Sequence, residues 1–196
     1  MSQDRPTPVD EEIILDDKRY IVSKTDAKGI ITYGNPYFVQ ISGYSLDEMF
    51  GKPHNIIRHP DMPRVIFRMM WDRISKGENI VAIVKNMAKS GKYYWVMTEF
   101  EPKRDEHGDI IEHTAYRKAA PKKAVEAMIP LYSKLLEIEK LTGSMDASFD
   151  CLKDFLGNKK LTYDEYISSL VDDKQFKNFF VSVKKIFRSK NPREDI

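Results

Sequence analysis

Short apolar runs rich in β-branched and aromatic residues lie near the start of the chain and again between residues 79 and 118, with helical periods between and beyond. Arg19-Tyr20-Ile21-Val22-Ser23-Lys24 is β-branched and aromatic, which predicts a strand. Asp26-Ala27-Lys28-Gly29 predicts a hairpin turn, and Ile30-Ile31-Thr32-Tyr33 the returning strand. Asn35-Pro36 then opens a short helix that Gly43 ends, with Asn35 as its N-cap. Ser45-Leu46-Asp47-Glu48 has the spacing of a capping box, so a second short helix follows and stops by Gly51. Between Pro63 and Lys76 a helix of three to four turns carries Ile66, Phe67, Met70, Trp71 and Ile74 on one stripe. Three strands follow: Asn79 to Met87, Tyr93 to Glu101 with Pro102 as its end, and Ile110 to Lys118. This order predicts an α+β fold, a five-stranded antiparallel sheet with helices on one face.

Pro121 marks a boundary, and beyond it the pattern is helical throughout. Ala124 to Lys140 is amphipathic, with Pro130 predicting a kink or restart. Asp146 to Leu156, a segment opened by the Thr162–Glu165 capping box, and a Phe-rich stretch from Phe176 to Phe187 are further helices. The expected organisation is a tail over 1–18, a sheet domain over 19–120 and a helical C-terminal extension over 121–196. Basic residues between Lys184 and Arg193 read as a solvated helix end.

Composition narrows the function classes. The 196 residues are 41% hydrophobic and 32% charged, so a core can form. Lys+Arg and Asp+Glu number 32 and 30, which makes no electrostatic case for nucleic acid. The longest aliphatic run, Ile80 to Val84, is far short of the roughly 20 residues of a spanning helix. One cysteine, Cys151, excludes an internal disulfide and a thiolate cluster, and reads as packing. A cytoplasmic protein without direct membrane insertion is expected. No nucleophile or metal constellation points to an enzyme, and His54, His59 and Asp61 lack a second ligand group at a zinc spacing.

The chemistry concentrates in His54-Asn55-Ile56-Ile57-Arg58-His59-Pro60-Asp61-Met62-Pro63, a stiff polar stretch placed to face the sheet. Arg58 suits a bidentate anion or carbonyl contact, or an ion pair with Asp61. His59 suits a hydrogen bond or proton gate, or a satisfied structural role. Asp61 stands where an N-cap for the long helix is needed. Asn86 is a polar amide in an apolar strand and needs a buried partner. Trp71 and Trp95 are aromatic candidates for ligand stacking or for the core.

Gly29-Ile30-Ile31-Thr32-Tyr33, Gly51-Lys52-Pro53-His54-Asn55, Arg58-His59-Pro60-Asp61-Met62-Pro63, Val84-Lys85-Asn86 and Tyr94-Trp95-Val96 together resemble the FAD-binding PAS domain of the bacterial aerotaxis receptor family. The resemblance runs from about Tyr20 to about Tyr132. Within that family the chain is most similar to the soluble PAS half of bipartite energy-taxis receptors of Campylobacter-type bacteria. The resemblance implies a PAS fold, a non-covalent FAD and redox sensing. It implies a separate membrane-bound chemotaxis transducer that supplies the signalling region, and pairing of PAS domains into a homodimer. Carried over by position, the FAD contacts fall on Asn35, Arg58, His59, Asp61 and Asn86, with the flavin's amide edge a suitable partner for Asn86. The family's Trp at the position of Ile80 is missing. Two other readings keep the fold: a haem sensor ligated through His54, His59 or His113, and a cofactor-free interaction module using the Phe-rich C-terminal helices.

Overall fold

Side-chain caps set most of the local structure. The computed structural model describes residues 5–171; the expected Phe176–Phe187 helix and the basic segment after it lie outside the described residues. Strand β1 is Ile21–Asp26 and β2 is Ile31–Gly34. Between them the Asp26 carboxylate accepts from the Lys28 and Ile30 backbone N–H groups at 2.8 and 2.9 Å, and Gly29 takes φ +82°. Helix α1, Pro36–Ser42, starts at Asn35, whose Oδ1 accepts from the Phe38 N–H. Helix α2, Leu46–Met49, has the expected capping box between Ser45 and Glu48. A 3-10 turn at His54–Ile57 leads to α3, Arg64–Ile74.

Strands β3 (Ala82–Met87), β4 (Tyr93–Arg104) and β5 (Ile110–Ala119) complete one antiparallel sheet in the order β2-β1-β5-β4-β3. β4 runs through Pro102, which the sequence pattern takes as its end. Past Thr98 it pairs only with β5, where Pro102 lies opposite His113, and a proline's missing N–H is tolerated beside an unpaired edge. The extension forms α4 (Lys122–Thr142), α5 (Met145–Lys159) and α6 (Tyr163–Leu170). α4 continues through Pro130 without a restart.

Two parts of the chain are tied down more firmly than their composition suggests. Residues 9–13, within the expected loose tail, exchange backbone hydrogen bonds with Gly91 and Tyr93 at the start of β4. The extension closes the free edge of β3: the Tyr132 hydroxyl donates to the Ile83 carbonyl at 2.7 Å, and the Tyr132 ring stacks on Trp95 at 6.5 Å. Arg58 adds a backbone bridge to Asn86 on the same strand.

α3 carries the main departure from the expected capping. Asp61 does not cap it. Its carboxylate lies toward solvent and pairs with Lys85 Nζ at 2.7 Å. The first helical N–H groups, of Arg64 and Val65, donate instead to Glu139 of α4, both at 2.8 Å. Pro63 precedes the helix without any side-chain cap, which leaves those donors to a partner from another element.

Candidate functional site

The inward side of the sheet and α3 enclose a cavity of about 320 Å³. A strand's period of two decides which residues reach it. Val84 and Asn86 of β3, Thr98 and Phe100 of β4, and His113, Ala115 and Arg117 of β5 line its floor. Phe67, Met70, Trp71 and Ile74 of α3 form the roof. The β1–β2 turn contributes Lys28 and Gly29, and the 3-10 turn contributes His54, Asn55 and Arg58. Gly29 has a specific reason to be glycine: besides its positive φ, a Cβ there would stand 2.8 Å from Cζ2 of Trp71.

The floor holds buried polar groups without partners. Asn86 Nδ2, Thr98 Oγ1 and His113 Nδ1 are buried and make no hydrogen bond among the described residues. The Tyr94 hydroxyl lies beside Asn86 in a contact too poorly aligned to satisfy Nδ2, although the amide favours the ionised form of Tyr94 against the larger, opposite effect of burial. Orphans of this kind are uncommon in folded proteins, and a cluster on one wall points to a polar ligand.

At the same wall, Arg117 is a buried cation that no carboxylate pairs with among the described residues. It is 4% exposed and donates to Ser23 Oγ and His54 Nε2, each at 2.9 Å. Burial holds its guanidinium pKa down to about 10. A guanidinium has no acceptor, so His54 accepts at Nε2 and carries its proton on Nδ1. Burial first, then the Arg117 charge, keep His54 neutral. Arg58 donates to the Met62 carbonyl at 3.0 Å and lies 4.2 Å over the Phe67 ring. It does not pair with Asp61, and burial lowers its pKa.

Of the residues singled out from sequence, Arg58, Trp71 and Asn86 lie on the cavity wall. Four others do not. Asn35 is used up by structure: Oδ1 accepts from Phe38 and Val22, and Nδ2 donates to the Tyr20 carbonyl. His59 is buried away from the cavity, with Nδ1 accepting from the Asp61 N–H and its ring edge-on to Tyr93. Asp61 is held outside by Lys85. Trp95 has the odd parity on β4 and faces Tyr132 on the opposite side of the sheet. Ile80 is buried in the core and does not line the cavity, where Trp71 is the aromatic against His113 at 5.8 Å. Cys151 sits half-buried on α5.

Thr98 and Arg117 also line the cavity and are not among the residues singled out from sequence. The signal for Arg117 was available: His113, Ala115 and Arg117 share one parity, and a charge on an inward parity requires a partner. Among the described residues no group of three or more His, Cys, Asp or Glu is arranged for a metal ion. No described helix is long and apolar enough to cross a membrane.

Comparison with known proteins agrees with this geometry. The family model described as PAS fold matches residues 31–116. The aerotaxis receptor of Escherichia coli is 43% identical over 121 residues, 62% of this chain and 24% of the receptor. The biofilm dispersion protein BdlA of Pseudomonas aeruginosa is 29% identical over 92 residues, 46% of this chain and 22% of that protein. The chain therefore spans about a quarter of the length of these relatives. A solved light-oxygen-voltage domain, described with a flavin analogue, superposes with a TM-score of 0.50 at 18% identity, covering 57% of this chain and 83% of the domain. That likeness concerns the fold. The sheet, α3 and the cavity between them thus have the PAS fold and are similar to a segment of the aerotaxis receptor.

Proposed function

We propose that the chain is a redox or energy sensor that binds a flavin, FAD by resemblance, in the PAS cavity and signals to a membrane-bound chemotaxis transducer. One observation carries the reading: Asn86 Nδ2, Thr98 Oγ1 and His113 Nδ1 stand unpartnered on one wall of a cavity whose roof is apolar and aromatic. A flat heterocycle with an amide edge matches that division. Similarity to a protein named as an aerotaxis receptor supports the same class of output, and the motif resemblance supports the flavin.

The residues divide the work. Asn86 and Thr98 hydrogen-bond the polar edge, and His113 offers a ring nitrogen beside them. Trp71 and Phe67 close over the apolar faces and exclude water. Arg117 supplies a fixed positive charge that favours a ligand gaining electrons. The cavity is at the small end of the roughly 300–1,000 Å³ usual for ligand sites, enough for a flavin head and not for a whole dinucleotide. Lys28 and Arg58 are the cations available to phosphate groups. The flavin, when bound, supplies reversible electron and proton uptake. The signalling chain acts from the cytoplasm through a docked transducer, with pairing of two PAS domains as a second contact.

Visible absorption of the purified chain after incubation with FAD tests this. Flavin peaks that survive desalting are expected in the wild type, and loss of colour without unfolding in Asn86→Ala and Arg58→Ala. A colourless wild-type protein after reconstitution sinks the reading. Haem is the second reading, and His113 Nδ1 is the observation that favours it. It is weakened at the other two histidines, because His54 Nε2 is taken by Arg117 and His59 is off the cavity. A Soret band lost in His113→Ala decides for haem.

A further inference from the structure

α3 is held from both sides. Its inward face, Phe67, Met70, Trp71 and Ile74, is the roof of the cavity. Its outward face presents Arg64, Arg68 and Arg73, and all three meet carboxylates of the extension. Arg68 pairs with Asp146 of α5 at 2.5 Å and Arg73 with Asp164 of α6 at 2.7 Å. Arg64 lies 3.5 Å from Glu139 of α4.

These contacts are unequal. The Arg68 and Arg73 pairs reach solvent, and exposed pairs contribute about 0–1 kcal/mol. Glu139 is 6% exposed. Its two oxygens accept the Val65 and Arg64 backbone N–H groups at 2.8 Å each, so it is the acceptor for the start of α3. A carboxylate at a helix N-terminus also meets the positive end of the macrodipole. Moving α4 away would break both backbone hydrogen bonds at the start of α3 and remove its cap. The same charge reaches the cavity: Glu139 is the attractive neighbour of Arg58, which stands on the wall.

We propose that Glu139 is a latch that ties the extension to α3, so that the state of the cavity and the docking of α4 are one coupled equilibrium. A ligand that settles the α3 roof holds the two N–H donors against Glu139, and α4 docks more firmly. By linkage, loosening the latch must weaken the ligand as much as the ligand tightens the latch. The ligand arm of this proposal rests on the flavin reading.

Hydrogen exchange of the full chain, with and without FAD, tests it in Glu139→Gln, which keeps one acceptor oxygen and loses the charge. In the ligand-free state the variant should exchange faster at Arg64 to Ile66, along Phe67 to Ile74, and in α4 from Leu131 to Thr142, with β1 and β5 unchanged. With FAD, the wild type should gain protection in both α3 and α4. The variant should gain it in α3 alone and bind FAD about fivefold or more weakly. Unchanged ligand-free exchange along α3 overturns the latch. So does an α4 response to FAD equal to that of the wild type. If wild-type protein binds no FAD, the flavin reading fails, and the ligand-free comparison still decides the latch. Should Glu139→Gln fail to fold, Glu139→Asp keeps the charge on a shorter reach and carries the same comparison.

Discussion

At Asn86, burial and hydrogen bonding pull in opposite directions. An unsatisfied buried amide costs roughly 1–3 kcal/mol, so the ligand-free fold bears that cost at this position. Asn86→Ala removes the orphan along with its donor. The expected outcome is a ligand-free melting temperature equal to or above that of the wild type, with FAD affinity reduced about tenfold or more. Thermal melts and fluorescence titration measure the two; a clear loss of ligand-free stability would show that Asn86 serves the fold rather than a ligand. Glu101 gives a second prediction at this scale. Burial, and then the Glu99 carboxylate, push its pKa up to about 7. The folded chain then keeps this proton to higher pH than the unfolded chain, so its contribution to stability is lost as pH rises through about 7. Glu101→Gln should remove that loss. After discounting for solvent screening, the gain above pH 7 is about 1 kcal/mol, or about 2–4 °C in Tm, and it shrinks as pH falls from 7 and vanishes below about pH 4.5. Melts at both pH values check it, and an identical pH dependence in the two proteins counts against it.

Among the elements, α3 and the β1–β2 hairpin meet at a contact only glycine permits. Gly29 combines φ +82° with the Trp71 ring directly where a Cβ would be. Gly29→Ala should cost about 1–2 kcal/mol and push the Trp71 ring off the cavity rim. Trp71 is 37% exposed, so its emission maximum should shift when the ring moves. An unchanged spectrum together with unchanged stability would mean the hairpin yields instead. The local signals for the elements were mostly readable. Asn35, the Ser45–Glu48 box and the Thr162–Glu165 box cap their helices as their spacing suggests. The cap of α3 was not readable, because its acceptor lies 75 residues beyond Arg64 in the chain.

For the molecule as a whole, the extension completes the sheet domain. It supplies the Tyr132 bond to Ile83, the ring that covers Trp95 and the cap of α3. A chain cut after Ala120 should therefore melt well below the full-length protein and associate through the bared edge of β3. Scanning calorimetry and size-exclusion chromatography test this, and a stable monomer of residues 1–120 would separate the two parts.

Periodicity, turns and the caps made by neighbouring residues are local, and the sequence by itself determined them: five strands in order, the short helices, α3, the change to helix after Pro121, and Asn86 as a polar amide in an apolar strand. Resemblance in the motifs from Gly29 to Val96 added the PAS fold. Tertiary structure decided what depends on distant partners. His54 meets Arg117 and Ser23 across the sheet, Glu139 meets α3, and Lys85 draws Asp61 outward. Of the polar stretch from His54 to Pro63, only part therefore faces the cavity. Hydrogen bonds and ion pairs are short-ranged in space and indifferent to separation along the chain, so residues apart in sequence settle which side chains remain free for a ligand.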